Sequence, residues 1–223
     1  MLKNKIKEMV SLQKRLNDNT NGENWINGIT KENRKINWFR CIYMESAEAI
    51  DSLNWKHWKS LNAPEDMENV KIEVVDIWHF ILSQAIVKFN GDLDKTTDYL
   101  ISSYEKYKNI KNSFNEINLI DLFEQIIANS VEKEIPIIEF YAIVDKIDNF
   151  TMDNVYSLYI GKNCLNEFRQ ANGYKENTYI KLWNGKEDNV YMQEIISKNP
   201  EIIFSDLYQK LEDKYFRLVK SIK

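Results

Sequence analysis

The stretch APEDMENVKIEVVDIWHFILSQAIVKF, residues 63–89, decides the fold class of this chain. Pro64 followed by two acidic residues is typical of a helix start, because proline fits the first turn and carboxylates favour the positive end of the helix dipole. The pair Asn90-Gly91 that follows is typical of a helix end. Between these two signals the sequence is apolar nearly all round, which predicts a helix that is buried over at least part of its length.

The rest of the chain predicts more helices. Only six Gly and three Pro interrupt 223 residues, and apolar residues recur at spacings of three and four. The first predicted helix begins at Leu2 and ends near the polar stretch NDNTNGEN at 17–24. Further helices are predicted over residues 31–51, 93–109, 117–134, 135–147, 151–173 and 200–222. No segment alternates with period two for long enough to demand a sheet, and YKENTYIKLWNGKEDN at 174–189 is predicted to be a long polar loop. The predicted class is all-α, as a single catalytic domain over 1–223 or with a smaller helical annex around 92–150.

Composition excludes several functional classes. The formal charge of -4 argues against a surface that coats nucleic acid. No apolar run approaches the ~20 residues of a membrane span, and the start of the chain lacks the apolar core of a secretion signal. Cys41 and Cys164 are too few for a disulfide framework, so we expect two reduced, buried thiols in a cytoplasmic protein.

Three like charges recur along one predicted helix. In YMESAEAIDSLNWKHWK, residues 43–59, the acids Glu45, Glu48 and Asp51 follow one another every three residues. Carboxylates at this spacing are neighbours on a helix surface and repel each other. Such a series therefore needs something that neutralises it.

The apolar helix repeats the pattern, with Glu73 and Asp76 three residues apart. Burying these acids is costly unless they are paired or bound to a metal. If the two helices pack together, Glu45, Glu48, Glu73 and Asp76 converge on one pocket. Four hard oxygen ligands suit magnesium or manganese, and the metal would cancel the repulsion.

The pattern of these acids has two other interpretations. The first is that they are solvated or paired with lysines such as Lys56, Lys59 and Lys71. The second is a di-iron bundle, which needs two acid-x-x-His elements. Asp76 and His79 form one such element, but His57, the remaining histidine, forms none. The di-iron interpretation therefore lacks its second histidine.

Three segments carry a resemblance to a known family. The chain has two acid pairs on a helical scaffold, Glu-x-x-Glu and Glu-x-x-Asp, separated by the spacer 49–72. This pattern resembles that of the all-α nucleoside triphosphate pyrophosphatases. Within them, the chain resembles the dimeric dUTPases from its first helix to about Asn189, through ESAEAIDSLNWKHWK (45–59), ENVKIEVVDIWHFILSQA (68–85) and FRQANGYKENTYIKLWNGKEDN (168–189). This resemblance implies a homodimeric, magnesium-dependent enzyme that hydrolyses dUTP and dUDP to dUMP and so limits uracil in DNA.

The resemblance also implies roles for individual residues. Glu45, Glu48, Glu73 and Asp76 would ligate two or three Mg²⁺ ions, with Mn²⁺ as an alternative, and Glu48 would be the catalytic residue that helps to activate a metal-bound water for attack on the β-phosphorus. The resemblance also implies substrate-binding residues of three kinds. The amides that would read uracil are Gln13 and Asn17, and the residues beside the nucleoside would be His79 and Phe80. The phosphate contacts would be Asn172, Lys175 and Lys181.

Two rival functions stay open at this point. One is a related helical pyrophosphatase that selects another nucleotide, such as dCTP. The other is a non-catalytic helical interaction module whose acids are surface decoration. Base selectivity separates the two enzymes, and buried acids with a metal requirement separate either enzyme from the module.

Overall fold

The described part of the chain is mainly α-helical, as predicted. A computed structural model describes residues 2–60, 62–199 and 202–219. Within these ranges it contains nine α-helices and one short antiparallel hairpin: α1 Leu2–Asn21, α2 Trp38–Asp51, α3 Met67–Lys88, α4 Leu93–Ile110, α5 Leu119–Val131, α6 Ile137–Lys146, α7 Met152–Ala171, β1 Leu182–Trp183, β2 Lys186–Glu187, α8 Asp188–Lys198 and α9 Phe204–Leu218. Two short 3-10 helices, Glu23–Asn27 and Lys111–Phe114, lie between them. None of the helices in the described ranges is long and apolar enough to cross a membrane.

The chain divides into two compact units. The first is Met1–Asp153 and contains α1 to α6. The second is Asn154–Lys223 and contains most of α7, the hairpin, α8 and α9. The single catalytic domain, with or without an annex around 92–150, stays a prediction.

Helix α3 is the centre of the first unit, as its apolar sequence predicts. It packs against α1, α2, α4 and α6. Trp78 is fully buried, stacks on Phe140 with ring centroids 4.7 Å apart, and places its indole nitrogen 3.3 Å from the Met9 sulfur. An aromatic side chain of this size contributes a large share of the apolar area that stabilises a core.

The ends of α3 follow local backbone chemistry. Its first residue is Met67, three residues after the predicted start at Pro64, because the Asp66 side chain accepts a hydrogen bond from the Asn69 amide at 3.0 Å and caps the helix. Its end at Asn90-Gly91 is confirmed, since both residues have positive φ angles, 55° and 85°. Glycine adopts this conformation without steric cost.

The predicted start of the second helix at Lys31 is wrong. Residues 31–37 form turns, and Ile29 bridges to Lys35 in an isolated antiparallel pair. Helix α2 begins at Trp38, after Asn37, whose side chain accepts from the Arg40 amide at 3.0 Å. An asparagine cap satisfies an amide that would otherwise lack a partner, and it fixes the helix start more strongly than helical periodicity does.

The predicted long loop at 174–189 is also wrong, because it contains the hairpin. Asn184 and Gly185 connect β1 to β2 with φ angles of 47° and 82°, as expected for a two-residue turn with this sequence. Trp183 on β1 is fully buried and packs against Phe168, Tyr191 and Tyr215. Helix α8 follows directly and was missed, because acidic and amide residues interrupt its apolar positions.

The last predicted helix is confirmed over part of its length. It spans Phe204–Leu218 as α9, whereas the prediction ran over 200–222. Pro200, Glu201 and residues 220–222 of that prediction lie outside the described residues. Cys41 and Cys164 are both free, and Cys164 is buried as predicted, whereas the predicted burial of Cys41 is wrong because its side chain is only half-buried.

Candidate active site

Three of the four predicted metal ligands lie together in the first unit. Glu45 comes from α2, and Glu73 and Asp76 come from α3. One carboxylate oxygen of each residue lies within 4.8 Å of the others. We call these three residues the acid cluster. The one-turn spacing of Glu73 and Asp76 places both on the side of α3 that meets α2.

The acid cluster is partly withdrawn from solvent. Glu73 is only 8% exposed, and Glu45 and Asp76 are half-buried. Glu73 Oε1 accepts a hydrogen bond from Asn69 Nδ2 at 3.0 Å, which orients its carboxylate. Burying several carboxylates side by side destabilises a folded protein, because each charge loses hydration and repels the others.

The electrostatic cost is concentrated at Glu45. Burial raises the pKa of the Glu45 carboxyl to about 8, and the negative charges of Asp76, Glu73 and Glu48 and a hydrogen bond to Glu73 act in the same direction. At neutral pH this carboxyl therefore holds a proton that a cation would displace. Perturbed carboxyls of this kind are typical of functional sites.

The donor set fits a hard divalent cation. It consists of carboxylate oxygens, which magnesium and manganese prefer to nitrogen or sulfur ligands. A cation at the acid cluster would remove the mutual repulsion and release the proton from Glu45. The residues that would hold it are Glu45, Glu73 and Asp76.

Glu48, the predicted catalytic residue, has a different environment. Among the described residues it is not part of the acid cluster, and its side chain is exposed. Its charge nevertheless contributes to the raised pKa of Glu45, one turn earlier on α2. Its assignment as ligand and catalytic residue stays a prediction.

The predicted base-reading residues form one buried hydrogen-bond network. Gln13 and Asn17 on α1 are 2% and 4% exposed, and Gln13 Oε1 lies 2.7 Å from His79 Nδ1 on α3. Both amide nitrogens approach the Ser83 hydroxyl, at 3.0 Å from Gln13 and 2.9 Å from Asn17. Sequence reasoning missed Ser83, although its position one turn after His79 was a usable signal.

Phe80 lies beside a tryptophan that the sequence did not single out. The rings of Phe80 and Trp38 stack with centroids 5.9 Å apart, and Trp38 in turn meets the edge of Trp25. Among the described residues, the buried indole nitrogen of Trp38 has no hydrogen-bond partner. Phe80 itself is half-buried, so part of its ring stays accessible.

The predicted phosphate contacts belong to the second unit. Asn172 donates through Nδ2 to the carbonyl of Phe168 at 2.9 Å and so caps the end of α7. Lys175 is exposed, and Lys181 is half-exposed and pairs with Glu187 at 3.2 Å. Their assignment as substrate contacts stays a prediction.

The second unit also contains a buried ion pair that sequence reasoning did not use. Arg169 makes a two-pronged contact with Asp188, from Nε at 2.8 Å and from Nη2 at 2.7 Å, and Asp188 is fully buried. The Tyr179 hydroxyl donates to the same carboxylate at 2.8 Å. This pair ties the end of α7 to the start of α8 across the hairpin segment.

The buried ion pair between Arg169 and Asp188 leads to a prediction about the stability of the protein. Changing Asp188 to Asn keeps the shape but removes the buried negative charge that the Arg169 guanidinium contacts with two nitrogens, so we expect the free energy of unfolding to fall by about 3–5 kcal/mol. Urea unfolding followed by circular dichroism measures it. Glu194→Gln is the control, because Glu194 pairs with Lys186 and Lys214 at the surface, where ion pairs contribute little. Equal effects of the two changes would contradict a structural role for the buried pair.

The raised pKa of Glu45 gives a prediction about pH. Between its ordinary pKa and about 8, the native state binds a proton that the unfolded state does not bind. The stability of the cation-free protein should therefore fall as pH rises from 5 to 8, and magnesium should stabilise it more at pH 8 than at pH 5.

Thermal unfolding midpoints in chelator and in magnesium, at both pH values, test this expectation. Glu45→Gln should flatten the pH dependence of the cation-free protein. Glu68→Gln, an exposed acid on α3 that pairs with Lys71, should leave it unchanged. An unaltered slope in Glu45→Gln would show that the titration belongs elsewhere.

The fold and the acid cluster together define a class. When a helical protein binds a cation through only a few carboxylates, the remaining coordination positions of the ion are available to substrate phosphates. This arrangement is usual for magnesium. The model of the dUTPase family matches residues 5–174, and the chain belongs to this all-α dUTPase family. Its activity is that of a dUTP diphosphatase, and enzymes of this family generally use a divalent metal.

The matched range contains the acid cluster, the amide network and Asn172, whereas Lys175 and Lys181 lie beyond it. None of the curated proteins matches the chain. Membership of an enzyme family removes the alternative of a non-catalytic interaction module.

Proposed function

We propose that this chain hydrolyses dUTP, and also dUDP, to dUMP with Mg²⁺ as its metal. The observation that carries the proposal is the acid cluster, three carboxylates from α2 and α3 within 4.8 Å of one another, in a chain of the dUTPase family. The activity would limit the incorporation of uracil into DNA. We place it in the cytoplasm, in keeping with the two free cysteines.

Glu45, Glu48, Glu73 and Asp76 would hold two or three Mg²⁺ ions, with Mn²⁺ as a substitute. When bound, such ions would neutralise charge on the phosphates and would make water a stronger nucleophile. The three members of the acid cluster supply fixed negative charge. The pKa of Glu45 is consistent with this role, because the carboxyl needs a nearby cation to ionise fully at neutral pH.

Glu48 would act as the general base. Its exposed carboxylate is accessible to solvent, and the position one turn after Glu45 keeps it next to the acid cluster. It takes one proton from the attacking water as the water oxygen bonds to the β-phosphorus of dUTP. The bond from that phosphorus to the oxygen it shares with the α-phosphorus would then break, so that this oxygen leaves with dUMP and the β- and γ-phosphates leave as pyrophosphate.

Gln13 and Asn17 would read the uracil, and Phe80 would flank it. Amides offer donors and acceptors that match the carbonyl and imino groups of the base, and an aromatic wall can exclude the thymine methyl. His79, whose ring lies 2.7 Å from Gln13 Oε1, would lie beside the sugar. Asn172, Lys175 and Lys181 would contact the phosphates, for which lysine serves as a point charge.

A substrate panel tests the proposal. Purified protein with magnesium is assayed with dUTP, dUDP, dCTP, dTTP and UTP, and monophosphate and pyrophosphate are measured. We expect the highest kcat/KM for dUTP, with dUDP also hydrolysed. Equal values for dUTP and dCTP would favour the alternative enzyme, a relative that selects another nucleotide, and would leave the metal chemistry intact.

We also propose that the chain acts as a homodimer. The support is its family and its high aromatic content, twelve Tyr, ten Phe and six Trp, part of which an interface would cover. Sedimentation at micromolar concentration is expected to give a dimer, and a species of 26.6 kDa alone would contradict this.

A further inference from the structure

Ser83 lies at the centre of the amide network and makes three short contacts. It is fully buried on α3. Its Oγ lies 3.0 Å from Gln13 Nε2, 2.9 Å from Asn17 Nδ2 and 2.8 Å from the backbone oxygen of His79. Two side chains from α1 thus converge on one hydroxyl from α3.

The Ser83 hydroxyl has a single proton and can donate it to only one acceptor. A carbonyl oxygen only accepts hydrogen bonds, so at 2.8 Å from the His79 oxygen the proton of Ser83 must point at that oxygen. Toward Gln13 and Asn17 the hydroxyl can then only accept. Both amides must therefore present NH₂ rather than C=O to Ser83.

This requirement fixes the orientation of both amides. With NH₂ toward Ser83, Gln13 Oε1 faces His79 Nδ1 at 2.7 Å, and Asn17 Oδ1 accepts from Gln13 Nε2 at 3.3 Å. An amide turned by 180° has nearly the same shape, so packing alone selects its orientation weakly. The acceptor at Ser83 makes the two orientations unequal in free energy, because the reversed amide would place two oxygens in contact.

We propose that Ser83 is a positioning residue that determines which amide atoms Gln13 and Asn17 present to the base, and thereby sets the preference for uracil over cytosine. The inference rests on the proposed function, in which these amides read the base. Uracil offers N3–H and O4, whereas cytosine offers N3 as an acceptor and an amino group. The two pyrimidines thus exchange donor and acceptor at this edge, as an amide does when it turns over.

The test compares Ser83→Ala with a matched serine. Ser46 on α2 is also fully buried and also donates to the carbonyl four residues earlier, Ile42, at 2.8 Å, but it is not part of the amide network. Steady-state kinetics with dUTP and dCTP are measured for the wild type, Ser83→Ala and Ser46→Ala. We expect the ratio of kcat/KM for dUTP over dCTP to fall about 10- to 100-fold in Ser83→Ala, and to stay unchanged in Ser46→Ala.

A second readout separates positioning from a general loss of structure. The side-chain NH₂ signals of Gln13 and Asn17 in nitrogen-15 spectra should shift and exchange faster with solvent in Ser83→Ala. Ser83→Thr, which keeps the hydroxyl, should restore both the signals and the dUTP-to-dCTP ratio. If the threonine methyl is not accommodated, Ser83→Cys, with a weaker acceptor, should give intermediate values.

The possible outcomes separate the role of Ser83 from the proposed dUTP-hydrolysing function on which it rests. A wild-type enzyme without preference for dUTP over dCTP would overturn the proposed function, and the amide signals would then decide alone whether Ser83 positions the amides. Amide signals and a substrate ratio in Ser83→Ala that match those of Ser46→Ala would overturn the role of Ser83.

Discussion

Replacing Glu73 with glutamine is expected to remove the cation site and to lower kcat/KM for dUTP by about a thousandfold, since a bound metal supplies several kcal/mol of charge stabilisation. Glu73 is the least exposed member of the acid cluster, at 8%, and Asn69 already orients its carboxylate. Glutamine keeps the shape and deletes the charge. The measurements are calorimetric titration with Mg²⁺ or Mn²⁺ and steady-state kinetics.

The same change should stabilise the cation-free protein. Removing one negative charge relieves repulsion in the acid cluster, so the unfolding midpoint in chelator should rise while activity falls. This opposite response is typical of a functional site and not of a structural carboxylate. Glu68→Gln on the same helix is the control. Normal cation affinity in Glu73→Gln would contradict the proposed metal site.

Replacing Glu48 with glutamine is expected to lower kcat by about 10²- to 10⁴-fold, the usual contribution of a general base. The side chain is exposed, so the fold should be retained. Because Glu48 is not part of the acid cluster, cation affinity should fall much less than in Glu73→Gln. Kinetics and the cation titration on the same preparation separate the two effects.

Asp51→Asn is the matched control for Glu48, because Asp51 is the next acid in the same series on α2 and pairs at the surface with Lys56. It should leave kcat unchanged. A near-normal rate for Glu48→Gln would remove Glu48 from the catalytic role, and the acid cluster would then stand as a metal site without an assigned base.

Helical periodicity and acid spacing predicted the parts of the molecule that depend on local pattern. The apolar run of α3 and the one-turn spacing of Glu73 and Asp76 were visible in the sequence, and both correspond to observed features. The convergence with Glu45 depended on α2 packing against α3. Repulsion among acids one turn apart gave the reason to expect it.

The missed features depend on contacts between distant parts of the chain. In the sequence, Ser83 is marked only by its position one turn after His79, and its contacts with Gln13 and Asn17 of α1 are visible only in the structure. In the sequence, Asp188 is one charged residue of a predicted loop, and its ion pair with Arg169 is visible only in the structure. The hairpin was the exception, because Asn184-Gly185 is a local turn signal that the polar composition of the segment obscured.

Hydrolysis of dUTP before and after removal of divalent metal tests the central claim most directly. The protein is dialysed against chelator, and phosphorus-31 spectra of dUTP are followed first without added metal and then with excess Mg²⁺. We expect no turnover in chelator, and with magnesium we expect equal amounts of dUMP and pyrophosphate. Undiminished hydrolysis in chelator would contradict the assignment of Glu45, Glu73 and Asp76 as the metal centre.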